Sequence, residues 1–426
     1  MTEKETVSTL KLMHSEVVPA IGCTEPIAVA LAVSKASEVL KVQPERIVAR
    51  LSANILKNAM GVGIPGTGMY GLPIAIALGL IVGKSEFGLE VLKDVTPTTL
   101  ELAKTYMDSD VITIELKENA TDKLYIEIEA FAGKDRSLVI ISRDHTRFTY
   151  IGLNDKTLFS TLLEEVDSVV KDSLELSFDK VCDFAEQTDI EDLRFMLQAA
   201  ELNNRVALES AKGLYGHSIG LIGNHPIGCN VLGDSMFTRI IYKTSSACDM
   251  RMAGALIPVM SNSGSGNQGI TATLPVTIYA DESGASEESL IRALTLSHLM
   301  AIYIKQSIGK LSALCGAMIA GIGSSCGITY LMGGTREQIG FAVKNMIGNL
   351  TGMICDGAKP SCSIKVMSAA STAVTSALMA IENKVITQLE GIVDKNVDQT
   401  IKNLTTIGAE GMAETDRLIL KIMTEK

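Results

Sequence analysis

The sequence predicts an α+β protein, a mostly helical body interrupted by an inserted α+β module. Three observations predict it. Long apolar-periodic stretches dominate both ends of the chain, and four consecutive β-type runs are confined to its middle. Hydrophobic residues make up 46% against 20% charged, enough to bury a sizeable core. On this reading residues 1–90 and 185–426 form the helical body and residues 91–184 the module.

Taken in order, Glu3–Val17 reads as an amphipathic helix. Thr24-Glu25-Pro26 ahead of IAVALAVSKASEVL is a helix start, with Thr24 as N-cap, an acid in the first turn and Pro at an early helical position. Arg46–Ser52 alternates like a strand. Lys57–Met69 holds four Gly and one Pro in thirteen residues and must be a shaped loop, because helix and sheet are both penalised there. The apolar run within Leu72–Val82 is too short to cross a bilayer and suits a buried helix. A helical pattern at Thr98–Met107 precedes the β-type runs Asp110–Leu116, Lys123–Phe131, Arg136–Ser142 and Thr146–Ile151, and a charged helical pattern, Leu158–Leu176, follows them. Beyond these, helices are expected over Ile190–Lys212, Asp234–Ala255, Glu287–Ser307, Lys310–Leu331, Arg336–Met353 and Ser363–Glu382, then a tail. No tandem repeat is apparent.

Composition removes some functions. The 426 residues carry 38 Lys+Arg against 49 Asp+Glu, a net charge of −11, and aromatics are 4% with no Trp. Both facts argue against nucleic acid as a partner. The opening residues are polar, without the apolar run of a secretory signal, and Leu311–Gly334 is too rich in Gly and Ser to suit lipid contact. A soluble protein with no membrane partner is the expectation. Eight widely spread Cys do not form the dense framework of a small secreted domain, so each is a core residue, a ligand or a nucleophile.

Cys355 and Cys362 flank six residues containing Gly and Pro, a segment that should loop and bring both thiols to one side. With Cys315 from another element they form a set of three that a four-iron cluster could use, leaving one iron open to substrate. Zinc prefers tighter pairs, and none exists here. The competing reading is that all three are buried small hydrophobes. Cys326 lies eleven residues after Cys315, about 16 Å along a continuous helix, too far for the same cluster. Cys182, Cys229 and Cys248 have no informative neighbours and read as structural. Cys23 directly precedes a helix start, where free N–H groups favour a thiolate, so it reads either as a nucleophile or base or as a packed residue. Ser261–Gly269, with Ser261, Asn262, Ser263 and Asn267, has the composition of an anion nest for a carboxylate, and Lys57-Asn58 could supply a second wall. Against this stands an ordinary tight connection. No His pair has zinc spacing; His145 and His225 sit in polar turns, where capping or solvation competes with proton transfer.

The segments GCTEP (22–26), KNAMGVGIPGTGM (57–69), SNSGSGNQG (261–269), LSALCGAMIAGIGSSCGITYLMGG (311–334) and CDGAKPSC (355–362) together strongly resemble the iron–sulfur L-cysteine desulfidase family, which is akin to the α part of iron–sulfur L-serine dehydratases. The resemblance implies a cytoplasmic enzyme that converts L-cysteine to pyruvate, ammonia and sulfide with a [4Fe–4S] cluster. It implies Cys315, Cys355 and Cys362 as cluster ligands, Cys23 as the reactive cysteine, and, from the related enzymes, a homodimer. The mechanism expected is a non-redox α,β-elimination in which Cys23 as thiolate takes the Cα proton and the Ser261–Gly269 loop, with Asn58, holds the substrate. The alternatives are an L-serine dehydratase and a non-catalytic iron–sulfur sensor or binding protein. The active site should form where the N-terminal and C-terminal helices meet.

Overall fold

The computed structural model describes residues 1–161, 175–308 and 313–425. The N-terminal part runs α1 (Glu3–Glu16), β1 (Pro19–Ala20), α2 (Thr24–Leu40), β2 (Arg46–Leu51), α3 (Ala53–Ala59) and α4 (Leu72–Ile81). Next come α5 (Pro97–Met107) and the strands β3 (Ile112–Leu116), β4 (Tyr125–Ala132), β5 (Asp135–Ser142), β6 (Phe148–Leu153) and β7 (Lys156–Ser160). The rest is helical apart from β8 (Val259–Met260). Its helices are α6 (Phe178–Gln187), α7 (Ile190–Leu193), α8 (Met196–Ser210), α9 (Ile219–Asn224), α10 (Pro226–Leu232), α11 (Met236–Met252), α12 (Gly266–Ser283), α13 (Glu287–Ile308), α14 (Gly316–Leu331), α15 (Arg336–Leu350), α16 (Cys362–Ile381), α17 (Val397–Thr406) and α18 (Ala413–Thr424).

A mixed sheet has the order β3-β2-β4-β5-β6-β7, with β2 and β3 parallel and the other neighbours antiparallel. Period-2 alternation gives it two different faces. Ile47, Ala49 and Leu51 of β2, Ile126 and Ile128 of β4, and Val139 and Ile141 of β5 meet the apolar α2 and α4 in one hydrophobic core. On the other face Arg50 pairs with Glu115, Glu127 and Glu129 at 2.9, 3.0 and 2.6 Å. A second core, built from α8 and α11–α17, surrounds α14, which is apolar on all sides and packs against α12, α13, α15 and α16. Gly323 permits one of these approaches, since a Cβ there would stand 2.2 Å from the Ser297 carbonyl oxygen.

Several expectations are corrected. β2 was expected in the helical body; its hydrogen bonds place it inside the sheet, and its apolar residues belong to the sheet's core, so the layer reaches back across the division drawn at residue 91. The N-cap of α2 is Cys23, and Thr24 is already helical, its hydroxyl donating to Glu25 rather than capping an amide. Lys57 and Asn58 end α3, so the Gly-rich loop begins at Met60. Leu158–Ser160 belongs to β7, and the remainder of the expected Leu158–Leu176 helix lies mostly outside the described residues, as does the start of Lys310–Leu331. Ile190–Lys212 is broken between α7 and α8, and α9, α10 and α12 were not anticipated. Among the described residues one helix, α16, is long and apolar enough to span a bilayer by length and composition; here it packs against α11, α14 and α15.

Candidate functional site

The two cores meet at a pocket of about 140 Å³, a volume suited to a small metabolite rather than a drug-sized ligand. Its position follows from three backbone couplings. β1 pairs with β8, and Ser261 N–H and Ser263 N–H donate to the carbonyls of Val18 and Glu16, fastening the 261–265 loop beside the turn that carries Cys23. The Gly-rich loop runs along the end of α11, with Gly63 N–H to Met252 O at 2.8 Å and Gly66 N–H to Gly254 O at 3.1 Å. A Cβ at Gly63 would stand 2.4 Å from the Ala253 carbonyl carbon, so only glycine fits there. An isolated bridge joins Leu314 to Ile354; Cys315 N–H donates to Met353 O at 3.0 Å and Cys355 N–H to Ala313 O at 2.6 Å. This bridge sets Cys315, the N-cap of α14, beside Cys355, and the following loop delivers Cys362 at the start of α16.

Seven of the nine residues singled out in sequence line the pocket: Cys23, Asn58, Ser263, Asn267, Cys315, Cys355 and Cys362. Ser261 and Asn262 do not, which corrects their assignment to substrate. Ser261 Oγ donates to Val18 O at 2.6 Å. Asn262 is fully buried: its Nδ2 meets His298 O and Nδ1, both at 3.1 Å, and its Oδ1 accepts from Ser263 Oγ and Gln268 Nε2. Its polar atoms are spent on holding the loop. Cys326 lies in the core around α14, away from the pocket, and Cys248 packs against Cys23 and Cys315 without lining it. His225 is an N-cap, accepting from Ile227 N–H at 3.3 Å.

The pocket also holds Glu25, Arg251, Gln268 and Lys305, to which sequence reasoning gave no role in the site, and, from the β5–β6 turn, His145, for which it weighed proton transfer against capping or solvation. Glu25 stood in the GCTEP segment but was read only as a first-turn acid. Arg251 and Lys305 each interrupt apolar helical sequence, the one available signal that a charge is turned inward. Arg251 donates to Asn267 Oδ1 at 2.9 Å and to Gly22 O at 2.7 Å, tying α11 to the Cys23 turn. Asn58 Nδ2 donates to Glu25 Oε1 at 3.0 Å. Among the described residues the buried Gln268 Oε1 and His145 Nε2 have no hydrogen-bond partner.

Electrostatics changes the reading of Cys23. Burial, and next the Glu25 carboxylate, push its thiol well above the usual range; Arg251 pulls the other way without overcoming them, and the thiol hydrogen-bonds to Glu25. The expected low-pKa thiolate is therefore corrected: a helix N-terminus lowers a thiol pKa where the sulfur is solvated, and here desolvation wins. Burial likewise raises Cys315 and Cys362, and each is raised further by charge on Cys355. Burial lowers Lys305 to about 8. Burial pushes Asp356 up, but Lys359 and Lys365 outweigh it and hold its carboxyl at about 2, bracing the Cys355–Cys362 loop.

Three soft sulfur donors on one pocket, with Cys315 and Cys362 raised by burial and by charge on Cys355, suit a polynuclear cation that would neutralise them. Among the described residues no three His, Cys, Asp or Glu side chains converge closely enough for a single metal ion. Three thiol donors with no fourth ligand among the described residues fit an iron–sulfur cube better than the four-ligand set of a structural zinc site.

A family model described as serine dehydratase alpha chain matches residues 86–421, which takes in every pocket residue from His145 onward and stops short of Cys23, Glu25 and Asn58. A UPF0597 protein of Bacteroides fragilis is 57% identical over 426 residues, covering all of both chains. UPF0597 proteins of Phocaeicola vulgatus and Oleidesulfovibrio alaskensis are 60% and 41% identical over 418 residues, each alignment covering 98% of this chain and 97% of the relative. With the match spanning both the sheet-borne histidine and the cysteine loops, the chain belongs to the serine dehydratase alpha chain family.

Proposed function

We propose that this chain is an iron–sulfur lyase acting on a small β-substituted amino acid, and that L-cysteine is the substrate, consumed with water to give pyruvate, ammonia and hydrogen sulfide. The observation that supports this reading is the meeting of Cys315, Cys355 and Cys362 with Cys23, Glu25, Arg251 and Lys305 on one small pocket. The three cysteines would hold a [4Fe–4S] cluster, which when bound supplies Lewis acidity toward the leaving sulfur.

The chain's own residues orient the amino acid. Arg251, bonded to Asn267, and Lys305 put positive charge on the pocket, which Ser263 also lines, a setting for the substrate carboxylate. Glu25, held by Asn58 and the Cys23 thiol, offers its carboxylate to the ammonium group. With both ends fixed, loss of the Cα proton and departure of the β substituent proceed from one geometry. The electron pair of the broken Cα–H bond forms the Cα–Cβ double bond, and the Cβ–S pair leaves with sulfur. The resulting aminoacrylate tautomerises to an imine and hydrolyses without further help.

A second reading has its own support: the family model is described for serine dehydratase, where the leaving group is hydroxide. Anaerobically reconstituted full-length protein given L-cysteine and L-serine separates the two. Equal yields of pyruvate and sulfide from cysteine, faster than pyruvate from serine, are expected. Faster turnover of serine makes it a dehydratase, and bound iron with no pyruvate from either makes it a non-catalytic iron–sulfur protein.

A further inference from the structure

The pocket is divided between the two cores. Arg251, Lys305 and the three cysteines come from the helical core, whereas Cys23, Glu25 and Asn58 extend from elements of the sheet's core. His145 is the sheet's own contribution. It sits in the turn between β5 and β6, which is closed by Ser142 N–H to Arg147 O at 3.2 Å and by Thr146 N–H to Asp144 Oδ1 at 3.1 Å. Its Nε2 is buried and has no partner among the described residues, and the side chain lines the pocket. An unpaired buried ring nitrogen costs about 1–3 kcal/mol and needs a reason.

The other titratable groups on the pocket are less suited to accept a proton. Arg251 is a permanent cation that donates to Asn267 and Gly22, and Lys305, which burial lowers to about 8, still mostly carries its proton at neutral pH. Glu25 accepts from Asn58 and from the Cys23 thiol, which leaves that thiol neutral and its proton engaged. Cys315, Cys355 and Cys362 are the proposed ligands. Among the described residues on the pocket, Gln268 Oε1 and the imidazole offer lone pairs with nothing on them, and of the two the imidazole is the base, histidine being the side chain whose basicity suits proton transfer near neutral pH.

The geometry points to His145 as the proton acceptor of the elimination, so that the α+β module completes the active site; this rests on the lyase reading above. In the tautomer with its proton on Nδ1, Nε2 takes the Cα proton as that bond breaks. The released pair forms the Cα–Cβ double bond, the β substituent leaves with its own pair, and the imidazolium returns its proton to solvent before the next turnover.

The test uses His145→Gln and His145→Ala in the anaerobically reconstituted full chain, with folding checked by circular dichroism and iron content measured. The rate constant kcat should fall about 100- to 10,000-fold with KM within about threefold, at wild-type iron content. The acid limb of the kcat pH profile should vanish in His145→Gln, and free imidazole should restore turnover to His145→Ala. Independently of turnover, the ring signal of His145 in ¹³C-histidine-labelled protein, assigned by its loss in His145→Gln, should shift on saturation with L-serine. A kcat loss below about tenfold, or a ring signal that L-serine does not move, overturns the proposal. Failure of the lyase reading shows separately, as wild-type protein that yields no pyruvate.

Discussion

Removing Asp416 should destabilise the protein more than removing the lysine it pairs with. Lys57, at the end of α3, is 1% exposed, and its Nζ donates to Asp416 Oδ1 and, at 3.2 Å, to the carbonyl of Cys355. Asp416 on α18 also accepts from Asn54 Nδ2 at 3.0 Å, and its side chain is 21% exposed. Asp416→Ala leaves a buried ammonium with one carbonyl for company. Losing one member of a buried pair costs about 3–5 kcal/mol, and water reaching this carboxylate argues for the low end, about 3 kcal/mol. Lys57→Met instead fills the same space with an apolar chain and leaves Asp416 with Asn54 and solvent, a loss of about 1 kcal/mol. In the Lys57→Met background Asp416→Ala should then cost little, because the buried charge is already gone. The chain has no Trp, so urea unfolding of the cluster-free protein is best followed by far-ultraviolet circular dichroism. If Lys57→Met proves the more damaging change, or if the two losses simply add in the double variant, the buried-pair argument is wrong.

Three further outcomes follow from the same geometry. Gly357 has φ +92°, and a Cβ there would lie 2.2 Å from the Lys57 carbonyl oxygen, so Gly357→Ala should push the Cys355–Cys362 loop off α3 and lower iron and sulfide content after reconstitution; wild-type content would show that the loop tolerates the shift. Asn262→Ala should cost about 2–3 kcal/mol in urea unfolding yet leave KM within about twofold, since its bonds hold the loop and not the substrate; a large KM rise at wild-type stability would return Asn262 to the pocket. Burial lowers His298 from 6.5 to about 3, so the folded state keeps it neutral while the unfolded chain protonates it. Its contribution to stability is therefore present above about pH 6.5 and lost as pH falls toward about 3. His298→Gln should flatten the acid decline over that window, and parallel pH curves for the two proteins would contradict this.

Much of the architecture was legible because its signals are local. The β4 and β5 alternation, the apolar α4 and the Pro-led α5 each declare themselves within a dozen residues. β2 was seen as a strand but assigned to the wrong layer, since pairing partners 65 to 85 residues away leave no mark on a six-residue pattern. β7 was missed because Leu158 and Phe159 also open an apolar helical pattern, and short runs do not separate the two periods. In the site, the Ser261–Gly269 composition drew attention to a loop that does line the pocket, but which of its polar residues do so depends on what else they can bond. Ser261 and Asn262 found partners in Val18 and His298 first.

The sequence by itself determined that three cysteines in two segments could share one site, because the Gly- and Pro-bearing spacer between Cys355 and Cys362 leaves that loop few other shapes. It also determined that Cys23 leads a helix. Only the tertiary structure decided that Cys23 is a neutral thiol leaning on Glu25, that Arg251 and Lys305 point inward, and that a turn of the sheet carries His145 to the same pocket. Ionisation and proximity depend on burial and on contacts distant in sequence, and neither is encoded in the spacing of residues along the chain.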